Sequence, residues 1–291
     1  MKAEQASTTA KVIAASTILL ASDPRTSALV APGAARLSSQ FLSGTRADRL
    51  FAASAAFPPT RAMWRWIDRL TLPGIVAHFW HRKRWIEQRC RSAIAEGFER
   101  VIVLGAGFDT LGLRLGEEFP QVTVVEIDHP ATQSAKRRAM ARAAIDIPAN
   151  LDLLPLDLGG APLPEAVHAD HRATIIVAEG LLMYLPPADV DRLLDALRGL
   201  AVERLRFIFS YITRWPDGTI GFHPQSKLIH RWLAWRGEPF TWAIEPGVVR
   251  EFLARHRFEL VEMALAADFS EPSAPNRALL EGENLVVCEP A

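Results

Sequence analysis

Four segments of this 291-residue sequence end an apolar run on residues suited to gripping a ligand. The first is Val101-Ile102-Val103-Leu104-Gly105-Ala106-Gly107-Phe108-Asp109-Thr110, a strand pattern running into a glycine-bearing turn. Glycine at such places permits a tight bend and lets a ligand reach the backbone without meeting a Cβ. The second ends Glu126-Ile127-Asp128-His129-Pro130, which puts Asp128 about 20 residues past the turn, where an acidic side chain can accept from both hydroxyls of a ribose. The third ends Leu156-Asp157-Leu158 and the fourth Ala178-Glu179-Gly180. Adjacent strand ends of this kind line one cleft with carboxylates, which suits a cationic, amine-bearing ligand better than a phosphate. Each residue also has a purely structural reading. Asp128 can cap a helix opened by Pro130, Asp157 can cap the turn at Gly159-Gly160, and Glu126 shares a side of its strand with Asp128 and is the fallback.

Two cofactor classes compete for the glycine turn. A dinucleotide fingerprint needs a further glycine at position 110, which holds Thr110, and Asp109 would crowd a pyrophosphate. S-adenosyl-L-methionine has a sulfonium, an amino group and no phosphate, so the turn favours it. The four segments, with Lys136-Arg137-Arg138 and Leu181-Leu182-Met183-Tyr184-Leu185, resemble the leucine carboxyl methyltransferase family, which includes bacterial polyketide O-methyltransferases. The resemblance spans roughly residues 20 to 265. It implies a class I methyltransferase sheet with a helical N-terminal extension and a lid inserted after the fifth strand. It implies cofactor contacts at Gly105, Asp128, Asp157, Leu158 and Glu179, with Gly107 in the same turn, and an aromatic at Tyr184 beside the transferred methyl. It also implies an arginine near the cofactor carboxylate on the helix before the first strand. Within His81-Arg82-Lys83-Arg84-Trp85-Ile86-Glu87, helical spacing puts Arg82 on the face of Ile86, Cys90 and Ala93, with Arg84 turned away. A buried arginine needs an anionic partner, and the cofactor carboxylate would supply one. The competing reading makes Arg82, Lys83, Arg84, Arg89 and Arg91 a solvated basic face.

The elements that must hold these residues follow from periodicity. Strand-like runs at Val101–Leu104, Val122–Ile127, Leu151–Leu156, Thr174–Ala178 and Arg206–Tyr211 alternate with helical spacing near 130–144 and 187–200, the pattern of parallel strands joined by crossover helices. Two more runs, Phe258–Leu265 and Leu285–Cys288, predict a closing hairpin at one edge. The fold class is therefore α/β, a Rossmann-like, mostly parallel sheet with an antiparallel edge. Residues 1–98 read as a helical cap and 99–291 as the core, with a lid at 212–245. Trp64, Trp66, Trp80 and Trp85 lie in the cap and Trp215, Trp232, Trp235 and Trp242 in the lid. They either wall an apolar acceptor pocket or join the cap to the lid.

Composition excludes much else. Thirty-three basic residues balance 33 acidic ones, so no global field favours nucleic acid or an anionic membrane surface. Two cysteines, Cys90 and Cys288, suggest a reducing, cytoplasmic setting, and the apolar stretch Val12–Ala21 is broken by Ser16 and Thr17 and is not read as a leader. No run reaches the roughly 20 apolar residues of a membrane span. No metal is expected: His78 and His81 lack a third partner, and His168 and His171 read as a loop. The favoured activity is O-methylation of a carboxylate or phenolic oxygen on a small-molecule acceptor of polyketide type. The alternatives are a protein C-terminal carboxyl methyltransferase and a non-catalytic cofactor binder, with an NAD(P) oxidoreductase disfavoured by Thr110; the oligomeric state is left open. An ionised carboxylate needs no general base, whereas a hydroxyl acceptor would gain from one, with Tyr184, Tyr211 and His223 as candidates.

Overall fold

The computed structural model describes residues 8–27, 30–159, 163, 167, 171–223, 239–268 and 280–291. Among them, five helices precede the first strand: α1 (Thr8–Ser22), α2 (Ala34–Phe41), α3 (Arg46–Ala56), α4 (Pro58–Thr71) and α5 (Ile75–Ala95). A Thr45–Asp48 capping box starts α3, and prolines at the first positions start α4, where a missing N–H costs nothing. The stretch that could imitate a leader lies within α1, with Ala14, Ala15, Ile18 and Leu20 buried against neighbouring helices.

The sheet contains β1 (Arg100–Leu104), β2 (Thr123–Asp128), β3 (Leu151–Pro155), β4 (Thr174–Ala178), β5 (Leu205–Ile212), β6 (Phe258–Ala264) and β7 (Glu283–Pro290). Its order is β3-β2-β1-β4-β5-β7-β6, with β7 antiparallel to both of its neighbours and the other pairings parallel. The crossover helices are α6 (Leu111–Glu118), α7 (Pro130–Arg142), α8 (Pro187–Arg198) and α9 (Val249–Arg255). Parallel strands covered on both faces must be apolar throughout, and β1 and β4 are buried at every position. Alternation along β1 sends Val101 and Val103 into one core with α5, α6 and α7, and Ile102 and Leu104 into the other with the α8 leucines and Phe207.

The expected runs thus form the α/β sheet within a residue or two of their predicted bounds, and the closing pair is β6 and β7, with β7 inserted beside β5. One local detail differs. The N-cap of α7 is His129, whose Nδ1 accepts from the Ala131 N–H, because Asp128 is still the last residue of β2. Strand order reverses between β1 and β4, so their carboxyl ends open the crevice in which such sheets bind ligands.

Candidate functional site

After β1 the chain bends through Gly105 at φ +66 and Gly107 at φ +53, a left-handed conformation that a side chain would strain. A Cβ at Gly105 would lie 3.0 Å from Leu181 Cδ1, and one at Gly107 3.2 Å from Ala10 Cβ, so the β4 end and α1 close over the bend. Asp128 Oδ2 accepts from the Gly107 N–H, and its Oδ1 accepts from the His129 N–H at 2.5 Å. A carboxylate has about four acceptor positions, so two remain for hydroxyl donors. Burial pushes the Asp128 carboxyl above the usual range, against the pull of those two N–H groups. Asp109 turns inward: Oδ1 accepts from Leu111 N at the start of α6, and Oδ2 pairs with Lys83 Nζ at 2.6 Å.

Behind the bend runs a buried chain of charge. Arg82 is 3% exposed. It donates through Nε and Nη2 to Glu179 Oε1 at 2.9 and 2.7 Å, and through Nη1 to both oxygens of Glu283 at 2.7 Å. His78 Nε2 lies 2.9 Å from Glu283 Oε2, and Lys83 Nζ lies 3.0 Å from Glu179 Oε1. The anions that burial of Arg82 requires are therefore two side chains of the chain itself, where the sequence suggested a cofactor carboxylate. Burial alone would push Glu283 up, but Arg82 and His78 reverse this and hold its pKa at about 2. Asp109, Glu179 and Glu283 thus meet Arg82, Lys83 and His78 in one buried network that borders the bend.

These groups border a cavity of about 1430 Å³. Gly105, Gly107, Asp128, Asp157, Leu158, Glu179, Arg82 and Tyr184 all line it, so the structure brings together every expected cofactor residue and one of the expected acceptor-side residues. Asp157 is largely exposed, accepts from the Gly159 N–H at 3.0 Å as a turn cap, and points its other oxygen at His129 Nε2 across 3.9 Å. Tyr184 follows β4 in a short 3-10 turn, with its ring 5.5 Å from that of Phe240. His223 is not in the cavity wall: it is exposed, bridged by backbone to Glu281 and packed on Trp215, so no described geometry lets it act as a base. Tyr211 is also absent from the wall, fully buried, with its hydroxyl 3.6 Å from Met263 Sδ. Glu126, the fallback, is buried against Lys136 Nζ at 2.6 Å, beneath the turn and outside the wall.

Only some of the tryptophans take the expected wall role, and no contact among the described residues shows one joining the cap to the lid. Trp64 and Trp80 line the cavity, Trp85 and Trp242 are buried, and Trp66 is exposed. Trp232, Trp235, His168 and part of the lid, 224–238, lie outside the described residues. The sequence reading missed Lys83, His78 and Glu283. Lys83 looked like part of a solvated face, and Glu283 precedes the apolar run that marked its strand; its one signal is an acid opening an otherwise buried strand. Also missed were the apolar walls from α1 and α4, including Val12, Ile13 and Ile67. Among the described residues no group of three or more His, Cys, Asp or Glu could hold a metal ion, and no helix is long and apolar enough to cross a membrane.

The model of the leucine carboxyl methyltransferase family matches residues 7–198. The chain belongs to that family. The matched stretch contains the glycine bend and the acidic strand ends at Asp128, Asp157 and Glu179, whereas Glu283 lies beyond it. A relative from Mycobacterium avium (strain 104), named as a candidate S-adenosyl-L-methionine-dependent methyltransferase, is 36% identical over 129 residues, covering 43% of this chain and 41% of its own. A second from the same strain with the same name is 29% identical over 226 residues, covering 69% and 72%. The chain spans about two fifths of the length of the curated relatives it matches first. Among solved structures, a candidate methyltransferase from Thermobifida fusca YX aligns with a TM-score of 0.57 over 88% of this chain and 93% of that one, at 20% identity, which shows a shared class I methyltransferase fold.

Proposed function

We propose that this family member transfers a methyl group from S-adenosyl-L-methionine to an oxygen of a small, largely apolar metabolite, and that the oxygen belongs to a carboxylate more readily than to a phenol. The observation that carries the reading is a single cavity whose wall holds both a charged set and an apolar set of side chains. Its about 1430 Å³ exceeds the roughly 300–1,000 Å³ of common ligand pockets, room for a cofactor and an acceptor together. Its wall combines the glycine bend and the carboxylates with the apolar side chains Val12, Ile13, Phe51, Trp64, Ile67 and Phe240. The bend fits the cofactor because Gly105 and Gly107 present backbone without Cβ atoms and Asp128 retains acceptor capacity for a sugar. Asp157 and Leu158 stand at the next strand end, and the carboxylates Asp128, Asp157 and Glu179 in the wall suit a sulfonium and an ammonium.

When bound, S-adenosyl-L-methionine supplies an electrophilic methyl group on a sulfonium. The protein's share is positioning: reactants held in line and kept from water gain up to about 7–11 kcal/mol in barrier reduction. A carboxylate is already ionised near neutral pH, so orientation and desolvation suffice. A phenol needs its proton removed, and with His223 out of the wall, the remaining histidine there among the described residues is His129. Its Nδ1 is occupied by Ala131 N and its Nε2 faces Asp157. That favours the carboxylate. Tyr184 lines the cavity beside Phe240, and in this reading it orients the acceptor.

Titration calorimetry with S-adenosyl-L-methionine on wild type and Asp128→Ala tests the cofactor half: affinity falls at least roughly tenfold, as for a lost hydrogen bond to a charged group. Equal affinity would sink the assignment. A methyl-transfer assay against apolar carboxylic acids, phenols and a peptide ending in leucine tests the acceptor half. Turnover of the peptide alone would move the chain to protein carboxyl methylation, the reaction its family description names. Binding without any turnover would make it a cofactor binder.

A further inference from the structure

Two neighbouring faces of α4 are apolar, and they meet different surroundings. Trp64, Ile67 and Thr71 line the cavity, while Met63, Trp66 and Leu70, at helical spacing on the adjoining arc, are exposed. Trp66 is 63% exposed and Leu50, on the exposed face of α3, 72%; Phe57 lies exposed between the two helices. A tryptophan, a phenylalanine, a methionine and two leucines are left exposed on one helical hairpin, an apolar content that calls for a covering.

Charge identifies the covering. The chain as a whole has no net charge, yet residues 46–71 hold five arginines against two aspartates and no lysine or glutamate. Both aspartates are engaged inward: Asp48 with Lys11 and the cap of α3, Asp68 with the N–H groups of Gly74 and Val76. The exposed charges on this hairpin are Arg46, Arg49, Arg65 and Arg69, of which Arg65 is shared with Asp23. A second copy of the chain docked symmetrically would set these arginines against their own counterparts, which is repulsive. Arginines flanking tryptophan and aliphatic side chains on a helix match a lipid interface: apolar groups enter the acyl boundary while long cationic side chains reach the headgroups.

We propose that the outer face of the α3–α4 hairpin docks on an anionic phospholipid surface. The docking is independent of the acceptor assigned above. The consequence that α4 would then stand between lipid and cavity, giving an apolar acceptor a route that avoids water, rests on that assignment.

The test is co-sedimentation of the full chain with vesicles of phosphatidylcholine alone and of phosphatidylcholine mixed with phosphatidylglycerol. The chain sediments with the anionic vesicles and not with the neutral ones, and 1 M salt releases it, as the Debye length falls from about 10 Å at 0.1 M to about 3 Å. Trp66→Ser and Leu70→Ser each weaken partition on the order of tenfold, and Arg46→Gln, Arg49→Gln and Arg69→Gln roughly fivefold each. Unchanged urea midpoints show that these exposed replacements leave the fold intact. Equal partition onto both vesicles, no partition at all, or Trp66→Ser and Leu70→Ser sedimenting like wild type would overturn the proposal. So would a concentration-dependent dimer that Trp66→Ser abolishes while vesicles leave the chain in solution, which would assign the face to a second copy.

Discussion

The cavity wall has two parts, a sheet end and a cap end named for the elements that supply them, and they are built by opposite means. At the sheet end, backbone conformation and buried charge fix each group: Asp128 is tied to Gly107 and His129, and Arg82 is clamped between Glu179 and Glu283. At the cap end, the wall consists of side chains from separate helices, Val12 and Ile13 on α1 and Trp64 and Ile67 on α4, that meet through packing. Directional contacts tolerate no displacement, because a buried donor or acceptor left unpaired costs its full desolvation. Apolar walls can exchange shape at modest cost if volume is kept. The contrast separates a site specified for one ligand from a chamber that can be reshaped for another.

If this contrast holds, replacements beneath the sheet end unfold the protein, and replacements at the cap end alter only which acceptor is used. The largest effect falls on Lys136. Its Nζ pairs with Glu126 and donates to the Asp109 carbonyl, all beneath the turn. Lys136→Met strands a buried carboxylate whose pKa burial already raises, and unfolding in urea shows a loss of about 3–5 kcal/mol. Adding Glu126→Gln to that variant recovers much of the loss. An unchanged urea midpoint for Lys136→Met would mean that the sheet end is no more rigidly specified than the cap.

Acid titration gives the next effect. The folded pKa of Glu283 lies at about 2, below its ordinary value, so its contribution is complete above pH ~4.5 and disappears as pH falls toward 2. The loss amounts to about 3 kcal/mol in that window, and Glu283→Gln flattens it. Asp128 and Glu126 act with the opposite sign. Their folded pKa values are raised, so protonation on the way down relieves a cost and stabilises the native state. Urea midpoints against pH for wild type and Glu283→Gln measure the difference, and parallel curves would show that the Arg82–Glu283 pair is not what acid breaks.

The same asymmetry governs how much the sequence revealed. Strand ends were legible because parallel strands impose unbroken apolar runs that stop where the backbone leaves the sheet; Thr174–Ala178 was read to the residue. Gly105, Asp128, Asp157 and Glu179 sit at those stops, so locating the stops located the residues. Partners contributed from elsewhere in the chain were not legible. Glu283 reaches Arg82 across 201 positions, and Lys83 reaches Asp109 across 26, separations that periodicity on one element cannot encode. On the helix that the family resemblance singled out, helical spacing chose Arg82 over Arg84, but its partner Glu283 could be seen only once β7 lay beside β5. The arginine excess on the α3–α4 hairpin vanished in a net charge of zero, because an average over 291 residues erases a local field.

The cap end gives smaller and more selective effects. Ile67→Ala removes one apolar group from the wall without touching the glycine bend, and it raises KM for an apolar acceptor by roughly 10- to 100-fold, the span for lost methylene contacts in a pocket. The affinity for S-adenosyl-L-methionine, measured by calorimetry, stays within twofold of wild type by roughly the precision of such comparisons. A matching loss of cofactor affinity would join the two ends into one unit and break the comparison.

The smallest effect belongs to His223. Its place at the start of the insertion made it a candidate base, but it is exposed, packed on Trp215 4.2 Å away, and absent from the cavity wall. A general base must come within hydrogen-bond reach of the proton it takes, directly or through one water. His223→Ala therefore leaves kcat and its pH profile unchanged for a carboxylate acceptor, which has no proton to give up. A phenol series sharpens the point, since acceptors of rising pKa increasingly need a base. If wild-type kcat holds steady along the series while the His223→Ala rate falls, the histidine reaches the acceptor in a conformation other than this one. If both fall together, the chamber contributes no base, and ionised acceptors are the ones it serves.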